Sequence, residues 1–317
     1  MTQLQPILVG IADGIAAALM FLAPVGGTEL AFPLFILTGL PIGLAGLGWG
    51  TVAGAAAAAA GTLVIAATIS LTGAASFLLL FALPVFWVAR QALLSRPLGG
   101  AVDAAREWYP LGRLLTHLTA AVAIGVVIVG VLIGFDRQAM AGDVPKALVD
   151  LFTSMSRPGA PAPTAAELAP FVQFYLAIMP FTVTAVLVMM LTFDLWLAAA
   201  VARMSGRLDR PKEKLWTVQL PTGVLVALSG FVLLAFLPGA AGEIARVCAG
   251  ALAGAAALTG LAVMHALTVG MSGRTVLLVL VYALIVFSGL PLFLFVLVAV
   301  AEALFRLRAR RFKGTPP

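Results

Sequence analysis

The stretch from Phe32 to Leu63 constrains the fold more than any other part of the chain. It is almost wholly apolar, yet it is rich in glycine and alanine and contains Pro33 and Pro41. Because lipid supplies no hydrophobic force between helices, small residues at close spacing are what let helix backbones approach inside a bilayer. Pro41 also breaks a helix at a depth where the freed backbone groups need protein or water partners. The stretch therefore predicts two tightly packed membrane segments at the centre of a bundle. Their predicted packing residues are Gly39, Gly43, Gly46 and Gly54.

The composition places the rest of the chain in the membrane as well. Of its 317 residues, 62% are hydrophobic and 10% are charged, whereas soluble domains carry about 25% charged residues. Apolar runs of about 20 residues, long enough to cross a bilayer, recur along the whole chain. The sequence therefore predicts an all-α, polytopic transmembrane helix bundle of about ten spans, with some helices broken by glycine and proline.

The positive charges indicate how this bundle is oriented. Most of the 19 Lys and Arg residues lie in three segments, 90–113, 203–214 and the chain end after Leu304. Basic loops are typical of the cytoplasmic side, so we predict that these segments and both termini are cytoplasmic. The last apolar run, Val276 to Leu304, is interrupted at residues 288–291 and could form one long tilted helix or two short spans with a tight turn. The charges favour two spans, because one span would place the basic chain end outside. The net charge of +6 is explained in this way without a nucleic-acid partner.

The same loops divide the chain into parts. Residues 1–93 are predicted to form a Gly/Ala-rich four-helix membrane part, and 94–113 a cytoplasmic basic loop. Residues 114–306 would form a second membrane part, and 307–317 a basic cytoplasmic tail. The longest polar stretch, 135–167, is predicted to be an external loop.

The external loop is predicted to contain a short amphipathic helix with Asp143 as its N-cap. Its apolar face, spaced i, i+3, i+4 and i+7, consists of Leu148, Leu151, Phe152 and Met155. Residues 156–163 form a proline-rich linker that cannot be regular helix. Thr164 and Glu167 then have the spacing of a capping box, which predicts a helix from that point to about Met204.

Ionisable groups inside a bilayer are costly, and each is a functional hypothesis by default. Four residues are candidates for substrate binding: Asp13, Glu29, Asp194 and His265. Each also has a structural interpretation. Asp13 would be an interfacial group near the start of the first helix, and Glu29 a solvated residue of the turn that follows. Asp194, the deepest carboxylate, would pair with His265 or with a threonine hydroxyl, and His265 would otherwise form a polar contact between helices.

Motifs that carry enzyme chemistry are absent from the sequence. There is no Walker A sequence, no GxSxG elbow and no HExxH. Cys248 is the only cysteine, so one chain can build neither an internal disulfide nor a cysteine metal site. We therefore expect no enzyme activity, no cofactor and no metal. Near the chain end, the spacing of Glu302 and Arg306 predicts an i, i+4 surface ion pair.

Two stretches of the sequence resemble a known family. The first is IADGIAAALMFLA followed, after a short turn, by FPLFILTGLPIGLAGLGWGTVAGAAAAAAG, and the second is the basic end EALFRLRARR. Both are similar to YybS-like proteins, an uncharacterised bacterial family of polytopic membrane proteins. Residues 5–90 also resemble the membrane-embedded substrate-binding (S) components of energy-coupling-factor transporters.

This resemblance implies a substrate-binding or transport role for a small or amphiphilic molecule in the bacterial cytoplasmic membrane. S components dock on a membrane coupling partner through small residues of their first helix, which here correspond to Ala12 and Ala16. Packing within the chain is the other interpretation of these alanines. The predicted partners are the lipid bilayer and either a membrane coupling partner or a second copy of the chain. The second functional hypothesis is a non-catalytic envelope or assembly protein that acts through protein partners.

Overall fold

The computed structural model describes residues 4–98, 106–155, 163–289 and 291–312, and most of them are helical. The first half of the chain contains α1 (Leu4–Leu22), α2 (Ala31–Ile36), α3 (Leu40–Trp49), α4 (Thr51–Thr68), α5 (Leu71–Phe77) and α6 (Leu83–Ala92). A 3₁₀ turn, Ala23–Gly26, follows α1, and a π-helical turn, Leu78–Ala82, joins α5 to α6.

The second half contains four long helices and four shorter ones. They are α7 (Leu111–Leu132), α8 (Arg137–Met155), α9 (Ala165–Met204), α10 (Thr222–Leu234), α11 (Gly239–Leu267), α12 (Arg274–Ser288), α13 (Pro291–Phe305) and α14 (Leu307–Arg311). A 3₁₀ turn, Leu215–Thr217, precedes α10.

The lengths and hydropathy of these helices define an integral, multi-pass membrane protein. Within the described ranges, seven helical stretches are long and apolar enough to cross a bilayer. They are Leu4–Gly26, Ala31–Trp49, Thr51–Thr68, Leu71–Ala92, Leu111–Leu132, Ala165–Met204 and Gly239–Leu267. The helices α10, α12 and α13 are apolar but shorter. The prediction of a helical membrane bundle is therefore confirmed.

The second of these stretches is interrupted between α2 and α3, where Pro41 predicted a break. Thr38 donates both its backbone N–H and its hydroxyl to the carbonyl of Phe35, at 3.2 and 2.7 Å. The regular i to i−4 ladder stops there and resumes with the bond from Gly43 N–H to Gly39 O. At the other end of α3, Gly50 adopts φ of +91°, and the chain turns there directly into α4.

Glycines of the first half lie where helices approach most closely. A Cβ atom at Gly43 would be 3.0 Å from Cβ of Ala198 in α9, and one at Gly46 would be 2.9 Å from Cβ of Ala89 in α6. A Cβ at Gly54 of α4 would be 3.0 Å from Cα of Gly46. Each position therefore faces a neighbouring helix rather than lipid.

The second half is organised around α11, which is the most buried of the long helices. Alanine and glycine cover most of its surface, so that α9, α10 and α13 pack against its backbone. A Cβ at Gly254 would come within 2.6 Å of the carbonyl oxygen of Ala185 in α9. On another side, Gly260 lies directly against the backbone of Phe295 in α13.

The basic loop after α6 contains a short antiparallel hairpin that the all-α prediction missed. Its strands are β1 (Ser95–Pro97) and β2 (Arg106–Trp108), paired with Arg96 opposite Glu107. These two side chains form an exposed ion pair at 2.6 Å. Three-residue strands carry too little hydrophobic alternation to be recognised in the sequence.

In the loop predicted to be external, Asp143 is not an N-cap. The helix α8 begins at Arg137, six positions earlier, so that Asp143 lies inside it, 4.0 Å from Nζ of Lys146. The proline-rich linker, residues 156–163, lies outside the described residues except for Pro163. The predicted capping box of α9 is confirmed: Thr164 N–H donates to Glu167 Oε2 at 2.7 Å, and Glu167 N–H donates to Thr164 Oγ1 at 3.3 Å.

The last apolar run forms two helices, as the sequence predicted. The helix α12 ends at Ser288, Gly289 adopts φ of +65°, and α13 begins at Pro291. The predicted pair of Glu302 with Arg306 is wrong, because α13 ends at Phe305 and Arg306 turns into the left-handed region with φ of +48°. Glu302 instead accepts a hydrogen bond from Nε of Arg308 at 2.9 Å.

Candidate functional site

Asp194 is fully buried, with 0% of its surface exposed. It lies on the face of α9 that packs against α3. Its Oδ2 atom accepts a hydrogen bond of 2.9 Å from the backbone N–H of Gly39. The carboxylate therefore lies at the interruption between α2 and α3.

The interruption explains why Gly39 needs this distant acceptor. In a continuous helix its N–H would donate to the carbonyl of Phe35, but the two groups of Thr38 occupy that carbonyl. Asp194 of α9 replaces that carbonyl as the acceptor for Gly39 N–H and so caps the start of α3. The N-terminus of a helix carries a partial positive charge, which favours a carboxylate there.

The second oxygen of the carboxylate is left without a partner. Oδ1 of Asp194 is buried and accepts no hydrogen bond from the residues that the structure describes. None of the ion pairs found in those residues includes Asp194 either. Buried polar atoms nearly always have a partner, and an exception needs an explanation such as a bound ion, ligand or water.

The two groups lie at matching depths along their helices. The helix α3 has ten residues and is therefore about 15 Å long. Asp194 precedes Met204, the last residue of α9, by ten positions, which again corresponds to about 15 Å. This distance is half the thickness of the apolar core of a bilayer, which is about 30 Å.

Gly39, directly before α3, leaves space for the carboxylate. A Cβ atom at Gly39 would lie 2.7 Å from Oδ2 of Asp194 and 3.0 Å from Cγ2 of Val85. The absence of a side chain lets the carboxylate approach the backbone.

The other predicted carboxylates are separate from this site. Asp13 is the tenth of the nineteen residues of α1, because the helix begins at Leu4. It is therefore near the middle of the span and not at its start. The Asp13 side chain is half-buried, without a hydrogen bond or ion pair to the described part of the chain. Glu29 is exposed in the turn before α2.

His265 does not pair with Asp194. Its Nε2 atom forms a hydrogen bond of 2.8 Å with the hydroxyl of Tyr282, which joins α11 to α12. The alternative of a nearby threonine also fails, because Thr192 donates its hydroxyl to the carbonyl of Val188. The structure thus brings Asp194 to a backbone donor that sequence reasoning had not considered.

The two alanines predicted to dock a partner lie on α1. Ala12 is exposed and Ala16 is half-buried.

Sequence reasoning also missed two buried arginines. Arg210 is 4% exposed and donates to the carbonyls of Ala92 and Tyr109, at 3.0 and 2.7 Å, and to Glu213. Arg308 is 6% exposed and, besides Glu302, donates to the carbonyl of Trp216 at 2.8 Å. Nothing in a run of basic residues indicates which of them turns inward.

These contacts join segments that are far apart in the sequence. Arg210 connects the loop 205–221 to the described part of the hairpin loop, residues 93–98 and 106–110. Arg308 connects the same loop to the segment 306–312. We call the end of the bundle formed by these three segments the basic face.

The fold and the buried carboxylate define a polytopic helical membrane protein with a discontinuous span. In the part of the chain covered by the structure, no group of three or more His, Cys, Asp or Glu residues could hold a metal ion. Comparison with known proteins adds no relative: no family model matches the chain, and neither a curated protein nor a solved structure is significantly similar to it.

Proposed function

We propose that this protein binds or transports a small or amphiphilic molecule in the bacterial cytoplasmic membrane, and that Asp194 is its ligand-binding carboxylate. The observation that carries the proposal is the unpartnered Oδ1 of Asp194 beside an interrupted helix. Discontinuous helices at the middle of the membrane are where transporters commonly bind substrates and ions.

The ligand contributes a cationic group or a hydroxyl to this site. A carboxylate oxygen accepts hydrogen bonds and attracts positive charge. The backbone of Gly39 already satisfies Oδ2, so that one oxygen stays in place while Oδ1 receives the ligand.

The proposal includes about ten spans with both termini in the cytoplasm. The contacts of Arg210 and Arg308 support this arrangement, because they hold the three basic segments at one end of the bundle. The turn at Gly289 between α12 and α13 returns the chain to that end.

A second candidate function is that of an assembly protein that acts through a membrane partner or a second copy of the chain. The observation in its favour is Asp13, a half-buried carboxylate at the middle of α1 beside the exposed Ala12. Intramembrane carboxylates usually pair with another polar group, and a partner helix would provide one.

The test compares Asp194→Asn with Asp150→Asn, which makes the same change at an exposed position of α8. The protein is purified with native lipids and small molecules retained, and mass spectrometry identifies what it carries. An asparagine keeps an oxygen for Gly39 but replaces the free oxygen with a neutral donor group. We expect Asp194→Asn to lose a small molecule that the wild type and Asp150→Asn retain.

Thermal unfolding of both variants in detergent separates binding from folding. A folded Asp194→Asn protein that retains every small molecule of the wild type would contradict the binding role of Asp194. Retention of a second protein by the wild type, lost when Asp13→Asn is introduced, would support the assembly function instead.

A further inference from the structure

The basic face contains a cavity that is separate from Asp194. Its volume is about 460 Å³, and it lies between the segment 216–222, α10, α11 and the end of α13. Thr259 of α11 lines its inner part. Since Thr259 precedes the end of that helix at Leu267 by eight residues, the cavity reaches about 12 Å into the bundle.

The charges that line this cavity leave a surplus of positive charge. Arg308 forms an ion pair with Glu302, in which the two side chains are only 7% and 12% exposed. Arg306 lines the same cavity, and its guanidinium has no hydrogen bond or ion pair to the described residues. One unit of positive charge is therefore available to a ligand.

The backbone holds Arg306 in an unusual conformation. Its φ of +48° makes it the one non-glycine residue with positive φ in the described ranges. Such strain persists where the surrounding structure enforces it, and it is concentrated at binding sites. Here Glu302 and Arg308 enforce it from both sides, because Glu302 accepts the N–H and the Nε–H of Arg308 at 3.0 and 2.9 Å.

Neutral donors lie near the free charge. Trp216 lines the cavity, and its indole N–H is buried without an acceptor among the described residues. Thr217 and Thr222, both exposed, add hydroxyl groups to the lining. A guanidinium together with N–H and O–H donors is the set of groups that binds phosphate oxygens.

Part of the cavity lining is apolar. Leu220, Leu225, Ala299 and Ala303 provide it, between α10, α11 and α13. A ligand with a charged end at the basic face and a hydrocarbon portion directed into the bundle matches this division. Basic pockets between transmembrane helices on the cytoplasmic side bind anionic lipid head groups in this way.

We propose that this cavity binds a phosphate group, carried by an anionic lipid or present as free phosphate, with Arg306 as the residue that recognises its charge. The site is independent of Asp194, because none of its lining residues belongs to α3 or α9.

The experiment uses the full chain in detergent and titrates it with phosphatidylglycerol, with phosphatidylcholine and with inorganic phosphate, recorded by native mass spectrometry. The variant is Arg306→Asn, which removes the charge and substitutes a residue that tolerates the left-handed conformation. The control is Arg311→Asn, which removes an equal charge from an exposed position of α14 outside the cavity. Asp194→Asn is carried in parallel.

We expect phosphatidylglycerol to bind the wild type more tightly than phosphatidylcholine does, and Arg306→Asn to weaken that binding about fivefold. Arg311→Asn and Asp194→Asn should bind like the wild type. Displacement of the lipid by inorganic phosphate at millimolar concentration would identify free phosphate as the ligand, whereas no displacement would identify the lipid. Equal weakening by Arg306→Asn and Arg311→Asn would overturn the proposal. Equal affinity for both lipids, together with no binding of inorganic phosphate, would also overturn it. If only Asp194→Asn lost binding of phosphatidylglycerol, the proposal would also be overturned.

Discussion

At the scale of single residues, Gly39 and Asp194 depend on each other. The carboxylate reaches the backbone of α3 because no side chain stands in the way, and the backbone N–H gives one carboxylate oxygen a partner. Each residue satisfies a group that the other would otherwise leave unpaired at the middle of the membrane, where water does not replace lost hydrogen bonds.

The first prediction is that Gly39→Ala destabilises the protein. Its Cβ would lie 2.7 Å from Oδ2 of Asp194 and 3.0 Å from Cγ2 of Val85, so these packed side chains must shift, at a cost of about 1–3 kcal/mol. Gly130→Ala in α7 is the matched control, because a Cβ there meets nothing within 4 Å. Thermal unfolding in detergent should show a lower melting temperature for Gly39→Ala alone. Equal melting temperatures would mean that the contact is not tight.

The sequence identifies one member of this pair and not the other. Asp194 is conspicuous because a carboxylate inside an apolar helix is rare. Its partner is a backbone N–H at a distance of 155 residues along the chain, and no residue type signals such a donor. Pro41 indicated that the helix breaks, but the identity of the acceptor depends on how α3 packs against α9. Because helix packing cannot be read from the sequence, His265 was considered as a partner of Asp194, although it forms a hydrogen bond with Tyr282.

At the scale of elements, the contact between α1 and α4 shows how small residues replace hydrophobic association. Gly10 and Gly14 lie against the carbonyls of Ala53 and Ala57, and Gly61 lies against the carbonyl of Gly14. The opposite side of α1 consists of large exposed apolar residues, as expected for a surface in contact with lipid. The glycines therefore determine which face of α1 packs inward.

The second prediction concerns this contact. Gly14→Leu should separate α1 from α4, because a side chain there would overlap the backbone of Ala57. Gly230→Leu in α10 makes the same change at an exposed helix position with open space around it. We expect the melting temperature in detergent to fall for Gly14→Leu and to change little for Gly230→Leu. Unchanged stability of both variants would show that the seam between α1 and α4 contributes little.

Elements with strong local signals were predictable from the sequence, and those that depend on neighbours were not. The capping box of α9 and the turn at Gly289 have residue types that specify a conformation locally. The start of α8 directly follows Asp136, a residue type that is preferred at an N-cap. The prediction chose Asp143 instead and was wrong. The break after Phe305 was also missed, because Arg308 donates to Trp216 in the distant loop 205–221 as well as to Glu302.

At the scale of the whole molecule, two buried arginines hold the basic face together. Arg210 fixes the loop 205–221 against the hairpin loop, and Arg308 fixes it against the end of the chain. A planar guanidinium is suited to this role, because it donates in several directions while remaining charged. The partly buried glutamates Glu213 and Glu302 compensate these charges.

The third prediction is that Arg210→Lys loosens the loop 205–221, because an ammonium group cannot reach Ala92, Tyr109 and Glu213 together. Loss of one charge-assisted hydrogen bond costs about 1.5 kcal/mol. The fraction of molecules in which the loop 205–221 is detached from the bundle then rises about tenfold. Trypsin should therefore cleave faster after Lys212, while Pro211 protects position 210 itself. Arg113→Lys, at an exposed position, is the control. Equal cleavage rates in both variants would count against this role of Arg210.

The last prediction tests the orientation of the whole bundle. A chain with its two ends on one side must cross the membrane an even number of times, and α12 and α13 decide the count. In a Cys248→Ser background, single cysteines replace Thr153 in α8, Asp209 in the loop 205–221 and Arg311 in α14, all of which are exposed. A membrane-impermeant maleimide should label position 153 in intact cells, and positions 209 and 311 only after permeabilisation, if the basic face is cytoplasmic as we propose. Labelling of position 311 in intact cells would place the chain end outside. The two final helices could then not form separate spans, although position 209 alone would still report the side of the basic loop.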